Sequence, residues 1–537
     1  MPDGMLDRLV PDYVIVGGGS AGCVLAGRLS EDPDATVLML EAGPPDLAYE
    51  IHVPFAFPAL FKSAHDWDLL GEKEPGLGGR RLYLPRGKMI GGCGSINAMI
   101  YLRGNRLDFD TWAADGATGW SYDEVLPYFM RSEDNERGED EFHGVGGPLA
   151  VSESRSMEPL VDVMLDAAVQ AGYERIPDLN VDRPEGVSRF QVTQRNGKRC
   201  STADGFLHPV ADRPNLQVRT SVFVQRIVLD GNRAVGVEVV QDGKVETIRA
   251  EREVILSAGT YQSPVLLMLS GIGPEDDLSP LGLQVRENLP VGRNLQDHLM
   301  VNVNYVTEQP GLFGILTPEN FELLEKEGRG PLSSNIPEAG GFFRTRDDLP
   351  APDLEFHFAP SIFYDEGLNA PTDPGVAFGP VLIKPNARGW VKLRTPMPDS
   401  KPLVLKNFFT DEDDRRSVIA GVRIALEIAS QPALKAVTTR AYSVPDSDSD
   451  EDIVAWIERN AQPVYHPTST CAIGSVVDPE LRVYGVDALR VCDASVMPTI
   501  TRGNTHAATV MIAEKGADLI AGKAPLAAAQ PVAAESF

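Results

Sequence analysis

The chain has 537 residues, with 77 acidic against 49 basic side chains for a formal net charge of −28, and 43% of it is hydrophobic. That length exceeds one hydrophobic core and calls for two domains or one large α/β unit with insertions, while the composition excludes fibrous and largely disordered classes. The acidic balance excludes nucleic acid and an anionic membrane surface as main partners, because both would repel it.

The first strand is expected at 12–16, almost at the start, which leaves no room for a signal peptide. A small-residue helix at 20–31 and an apolar strand at 36–40 complete a βαβ opening. Residues 44–80, rich in Pro, Gly and aromatics, read as a long excursion over the surface, and the charged, Gly-rich stretch 131–148 as a mobile loop. Strand runs at 216–219, 222–229, 234–240, 245–249 and 254–256 form a meander, with Asp230-Gly231 and Asp242-Gly243 placed for hairpin turns. An apolar helix follows at 264–269, with Pro264 in its first turn. Residues 300–455 read as mixed sheet and helix, with helices at 411–432 and 451–459. The Ala- and Pro-rich tail after 521 has nothing to bury and reads as disordered. No apolar run reaches the length of a membrane span. Five scattered cysteines without a C-x-x-C pair (Cys23, Cys93, Cys200, Cys471, Cys492) fit reduced thiols in the cytoplasm, with no metal site.

Gly17-x-Gly19-x-x-Gly22 follows a strand and opens a helix. Gly17 permits the tight turn, Gly19 the approach of a pyrophosphate, and Gly22 close helix–sheet packing; the helix start, with Ser20 and Ala21, then faces phosphate. Glu41, ending the second strand beside Ala42, is placed to accept hydrogen bonds from a ribose diol. Gly18-x-Ser20-x-Gly22 also matches a hydrolase nucleophile elbow, but an elbow this early leaves no preceding strands for the rest of its sheet. A second glycine cluster, Arg86-Gly87-Lys88-Met89-Ile90-Gly91-Gly92-Cys93-Gly94-Ser95-Ile96-Asn97, lets backbone pass close to a flat ligand.

On these residues the chain resembles the glucose–methanol–choline (GMC) flavin oxidoreductases, and their choline-dehydrogenase-like branch in particular. The second signature of that family matches Gly259 to Gly273, and the resemblance continues through Val291-Gly292-Arg293-Asn294-Leu295-Gln296-Asp297-His298 to the C-terminal segment. Cys93 stands where Ser or Thr is commoner. Ile96 replaces the His that carries covalent flavin in one branch, so a non-covalent FAD is expected. The resemblance implies FAD contacts at Gly92, Asn97, Ala98, Asp493, Ala494 and the backbone of Val224.

Oxidising an alcohol requires a base for the hydroxyl proton, and a neutral imidazole suits neutral pH. By resemblance His466, in Val464-Tyr465-His466-Pro467, is that base, and Asn504 its partner on the substrate oxygen. His506 stands where relatives often have Asn, and Ala508 where many have Pro, so which polar residue of that loop faces the substrate stays open. His357 resembles a histidine of the substrate wall or is a core histidine. Glu338 matches an acid near the active site, placed to hold an ion pair, to favour a cationic substrate, or to act structurally. Trp67, Tyr465, Phe342 and Val464 are candidate walls.

The expected protein is thus an α/β enzyme with a Rossmann-like FAD-binding domain (1–45, 80–110, 195–300, 460–525). A mixed-sheet substrate domain takes 46–79, 111–194 and 301–459, and the disordered tail 526–537. Its reaction is oxidation of a small-molecule alcohol to an aldehyde or ketone by hydride transfer to flavin N5. Oxygen is the acceptor, or a quinone or dye in the alternative. A redox-neutral lyase, a light-driven decarboxylase and a serine hydrolase are the alternatives from other classes.

Overall fold

The computed structural model describes residues 10–156 and 158–530. Strand β1 (Tyr13–Val16), helix α1 (Ser20–Leu29) and strand β2 (Val37–Leu40) form the opening βαβ unit. Strands β3 (Leu216–Arg219) and β4 (Glu253–Leu256), helix α2 (Gly259–Leu269), strand β5 (Leu489–Val491) and helix α3 (Thr505–Ile520) are added from far along the chain. The five strands lie parallel in the order β3-β2-β1-β4-β5. Every residue of β1 and β2 is buried, which is why Tyr-Val-Ile-Val and Val-Leu-Met-Leu read as unbroken apolar runs rather than alternating ones.

A second, antiparallel sheet carries the other wall of the site. In spatial order its strands are Thr438–Ser443, Val303–Thr307, Gly375–Leu382, Leu354–Ala359, Ala339–Phe343 and Gly186–Arg189. A short strand, Leu299–Met300, pairs with Gly375–Leu382 on one side and with Gln462–Pro463 on the other. Among the described residues no helix is long and apolar enough to cross a membrane. The molecule is an α/β protein, as expected.

Several local expectations are corrected. The meander over 214–257 divides: its outer runs become β3 and β4 of the parallel sheet, and only Phe223–Asp230, Arg233–Gln241 and Lys244–Arg249 form an antiparallel three-stranded sheet. Asp242 and Gly243, at φ +50° and +74°, make the expected two-residue turn. The first hairpin closes one residue later than expected, because Asp230 pairs with Arg233 and leaves Gly231-Asn232 as the loop. The 44–80 excursion is only partly a surface feature: Ile51, Val53, Phe57, Leu60, Leu69 and Leu77 are buried, while Leu47, Tyr49 and Leu70 stay exposed. Nor is 131–148 mobile. Glu133, Asn135 and His143 are buried there around Arg103, with His143 bridging Glu133 and Asp178 at 3.1 Å each. Glu133 and His143 thus anchor the stretch in an interior network, while Glu136, Arg137, Glu139, Asp140 and Glu141 between them stay exposed. In the C-terminal segment, the Leu526 N–H donates to the Tyr128 hydroxyl (3.1 Å) and the Ala529 N–H to the Asp123 carbonyl (2.8 Å), so its start is docked. Residues 531–537 of the expected tail lie outside the described residues.

Candidate active site

One continuous cavity runs from the β1–α1 turn to the C-terminal segment, and it collects nearly every residue singled out from the sequence. Its wall contains Gly17, Gly19, Ser20 and Ala21 from the turn, Glu41, Ala42 and Val224 beyond β2, and Gly92, Asn97 and Ala98 from the glycine cluster. Asp493, Ala494, Asn504 and His506 come from the C-terminal segment, with His357, Val464, Tyr465 and His466 at the far end. Gly22 and Glu338 are not in the wall.

At the β1 end the glycines are demanded by backbone approach. Gly17 sits at φ +102°, where a Cβ would stand 2.6 Å from the Ser257 carbonyl oxygen, and a Cβ on Gly22 would meet the Gly17 oxygen at 1.9 Å. Gly19 is looser, its nearest neighbour across the turn being the Gly92 backbone at 3.8 Å. No side chain caps α1, so its first N–H groups are free to meet an anion. The Glu41 carboxylate accepts from the backbone N–H of Gly18 (2.8 Å) and of Gly43 (2.7 Å), and burial raises its pKa to about 7 against those donors. Asp493 is tied likewise, accepting from the N–H groups of Gly259 (2.9 Å) and Ser495 (2.8 Å) and from the Ser263 hydroxyl (2.6 Å). It also caps the short turn after it.

At the far end three polar side chains form a chain whose proton positions follow from chemistry. His298 Nε2 lies 3.1 Å from the Ile383 carbonyl, which only accepts, so that nitrogen carries the hydrogen. Burial lowers the His298 pKa to about 4, so the ring is neutral and its Nδ1 is an acceptor. Nδ1 of His466 lies 3.1 Å from Nδ1 of His298 and must therefore be the donor. That leaves the His466 Nε2 with a free lone pair, and it sits 3.1 Å from Nδ2 of Asn504, which donates to it. Burial, reinforced by the charges of Arg86 and Lys406 nearby, drives the His466 pKa well below 6.5. The imidazole at the cavity end is thus neutral, with its basic nitrogen facing Asn504.

The loop that carries His466 is held from three directions. Asp297 Oδ1 accepts from the backbone N–H of His466 (2.7 Å) and of His298 (2.9 Å), and its other oxygen pairs with Lys406. The Leu299–Met300 and Gln462–Pro463 ladder brings the two histidine segments side by side, extended by the Val464 N–H to the His298 carbonyl (3.1 Å). The third tie comes from α2. This helix begins at Gly259, so Pro264 lies inside it rather than in its first turn, and Pro264 has no N–H for the Thr260 carbonyl. That carbonyl accepts instead from the Thr470 hydroxyl (2.7 Å), while the Thr260 hydroxyl donates to the Pro467 carbonyl (2.7 Å). Tyr465, at φ +66°, is fixed by Arg86, which donates to its carbonyl (2.6 Å), and by its own hydroxyl on the Glu366 carbonyl (3.0 Å).

Asp297, His298, Lys406 and Arg86 were not recognised as site-builders from the sequence. Asp297 and His298 belong to a quoted family segment, but their pairing with His466 crosses 168 or more positions and leaves no local trace. Of the three alternatives for Glu338, substrate contact is corrected and the structural and ion-pairing ones remain: its carboxylate accepts from the Ser334 hydroxyl (2.6 Å) and stands 3.7 Å from Arg189, outside the cavity wall. His357 does line the cavity, with Nε2 held by Glu355 at 2.9 Å behind it. His506 faces the glycine cluster, its Nε2 being 3.0 Å from where a Cβ of Gly94 would stand, and burial lowers its pKa to about 4. Trp67 lines the cavity too, whereas Phe342 packs behind it.

The cavity suits FAD. The glycine turn is a cradle that any Cβ at Gly17 or Gly22 would break, and the wall keeps buried polar atoms without partners: the Tyr261 hydroxyl, Asn504 Oδ1 and His506 Nε2. A long polar ligand satisfies such groups, and an apolar one does not.

Comparison with known proteins agrees. The GMC oxidoreductase family matches over residues 11–300 and again over 385–513. A GMC-type oxidoreductase of Mycobacterium tuberculosis is 45% identical over 524 residues, covering 95% of this chain and 99% of the relative. Mitochondrial choline dehydrogenase of Homo sapiens is 42% identical, covering 96% of this chain and 90% of its own. Among solved structures, pyridoxine 4-oxidase from Mesorbium loti superposes with a TM-score of 0.88 at 32% identity, over 94% of this chain and 98% of that one. The serine-hydrolase alternative on Ser20 falls with these matches. The chain belongs to the GMC oxidoreductase family and is an FAD-dependent oxidoreductase acting on a CH–OH type of substrate.

Proposed function

We propose that the enzyme oxidises an alcohol to an aldehyde or ketone at the His466–Asn504 end of the cavity. The observation that carries this reading is the hydrogen-bond chain from the Ile383 carbonyl through His298 to His466, which supports a neutral imidazole whose unprotonated Nε2 accepts from Asn504. A substrate hydroxyl entering between His466 and Asn504 gives its proton to the His466 Nε2, while the Asn504 Nδ2 holds the oxygen. As the imidazole becomes cationic, its Nδ1–H stays on His298, and Asp297 keeps the backbone of both histidines in place. FAD held along this cavity would supply the two-electron acceptor for the α-hydrogen. Positioning matters as much as basicity here, since about 1 Å of misplacement costs on the order of a hundredfold in rate.

For the cofactor, the reading puts the pyrophosphate on Gly17, Gly19, Ser20 and Ala21, with Gly22 packing beneath. The adenosine goes to Glu41, Ala42 and Val224, and the ribityl chain and ring to Gly92, Asn97, Ala98, Asp493, Ala494 and His506. Ile96 supports non-covalent attachment. Val464, Tyr465 and His357 face the substrate. Oxygen is the proposed acceptor.

The test is anaerobic and dark: the purified yellow protein is mixed with alcohols and its flavin absorbance followed. Bleaching with formation of the carbonyl product is expected, and a flavin left oxidised by every alcohol contradicts the reading. Acid precipitation should leave the flavin in the supernatant, and peroxide yield against dye reduction identifies the acceptor.

A further inference from the structure

The substrate end of the cavity has an uneven charge. Its wall there contains Phe57, Phe61, Met300, Ile336, Phe363 and Val464, with the uncharged polar side chains of Asn302 and Gln462 among them. Among the described residues, the carboxylates in the whole cavity wall are Glu41 and Asp493, and both are engaged by backbone N–H groups of the glycine turns. The acids behind the wall are committed elsewhere: Asp297 to Lys406 and to the backbone N–H groups of His466 and His298. Glu338 is turned to Ser334 and Arg189, and Glu355 is fully buried behind His357, on its Nε2.

Among the described residues, the cation in the wall makes no direct ion pair, although Asp297 and Asp66 lie near enough to favour its charge. Arg86 donates to the carbonyls of Pro85 and Tyr465, and among the described residues no acid pairs with it. A quaternary ammonium brought into this space exchanges its hydration for apolar walls and a guanidinium of like sign. The aromatic rings of Phe57, Phe61 and Phe363 attract a desolvated cation, but by less than an uncompensated buried charge costs. An uncharged alcohol meets none of these costs, and its hydrocarbon part gains from the same walls.

We infer that the substrate is an uncharged alcohol with an apolar body, and that this cavity disfavours alcohols carrying a quaternary ammonium group, choline included. The inference rests on the alcohol-oxidation reading above and narrows it. It also means that the acidic net charge of the chain does not extend into the site.

The experiment compares choline with its uncharged carbon isostere, neohexyl alcohol, alongside benzyl alcohol and octanol. Each is mixed anaerobically in the dark with the FAD-loaded enzyme, and the limiting bleaching rate and the Kd are taken from saturation. The expected result is that uncharged alcohols exceed choline by about a hundredfold in rate over Kd, chiefly through Kd, as befits an unpaired charge. Choline equal to or better than the uncharged set overturns the inference and leaves alcohol oxidation standing. No bleaching by any of them overturns both. Glu338→Gln gives an independent check: the choline to neohexyl alcohol ratio should stay unchanged, and a selective loss of choline oxidation would show that Glu338 does recognise a cation.

Discussion

The two ends of the cavity are built by different means. At the β1 end the groups that meet the cofactor are mostly backbone, and even the acids Glu41 and Asp493 are held by backbone N–H groups of glycine turns. At the far end the working groups are side chains, brought together from Asp297, His298, His466 and Asn504 by strand pairing and one interrupted helix. A backbone site excludes added atoms where backbone meets backbone, as at Gly17 and Gly22, whereas a side-chain site is sensitive to single functional groups. Substitutions at the two ends should therefore fail differently.

The largest effect is expected at Gly22→Val, whose side chain must occupy space only 1.9 Å from the Gly17 oxygen. It should yield protein without flavin absorbance, or none that is soluble, while Gly19→Ala, with 3.8 Å to the nearest backbone across the turn, should fold and weaken FAD binding only through the pyrophosphate contact. Equal flavin content in the two would break the comparison. Next, Asn504→Ala should leave flavin content intact and slow anaerobic bleaching by about 10- to 100-fold, the worth of a hydrogen bond to a group becoming charged. His298→Ala should slow bleaching without a matching change in alcohol Kd, because it frees the His466 Nδ1–H from its acceptor; His298→Asn, which keeps an acceptor, should recover part of the rate. The smallest change is expected for Thr470→Val, which leaves the Thr260 carbonyl unpaired beside Pro264. It should cost about 1–3 kcal/mol of stability, seen as a lower Tm with FAD still bound.

The pH profile sharpens the comparison from the side-chain end. Because burial disfavours cationic His466, its pKa lies well below 6.5, and the reactive neutral form is already complete at neutral pH. The bleaching rate should stay level as pH falls through 6.5 and decline only further down. A decline centred near 6.5 would mean an exposed, ordinary imidazole.

This division also explains what was legible in the chain beforehand. The spacing of Gly17, Gly19 and Gly22, with an acid closing the next strand, reports a backbone requirement, and such requirements are local. The apolar runs of β1 and β2 were readable because burial on both faces leaves no polar positions. His466 and Asn504 were found through family motifs rather than from spacing, since a lone histidine carries no signature of its function. What escaped notice was long-range. His298 becomes the partner of His466 only when Leu299–Met300 pairs with Gln462–Pro463. The Pro264 ring matters only because Thr470 reaches the carbonyl it frees. Charge misled at 131–148, where Glu133 and His143 close on Arg103 in the interior, and at Glu338, which ends on Ser334 rather than in the cavity.

The claim on which the rest depends is that the neutral Nε2 of His466 takes the hydroxyl proton. Its most direct test is His466→Ala, purified with FAD and mixed with a bleaching alcohol anaerobically in the dark. The account predicts unchanged flavin content and Kd of the same order, with the limiting bleaching rate lowered by about 100- to 10,000-fold. A variant that bleaches as fast as the parent enzyme would contradict it.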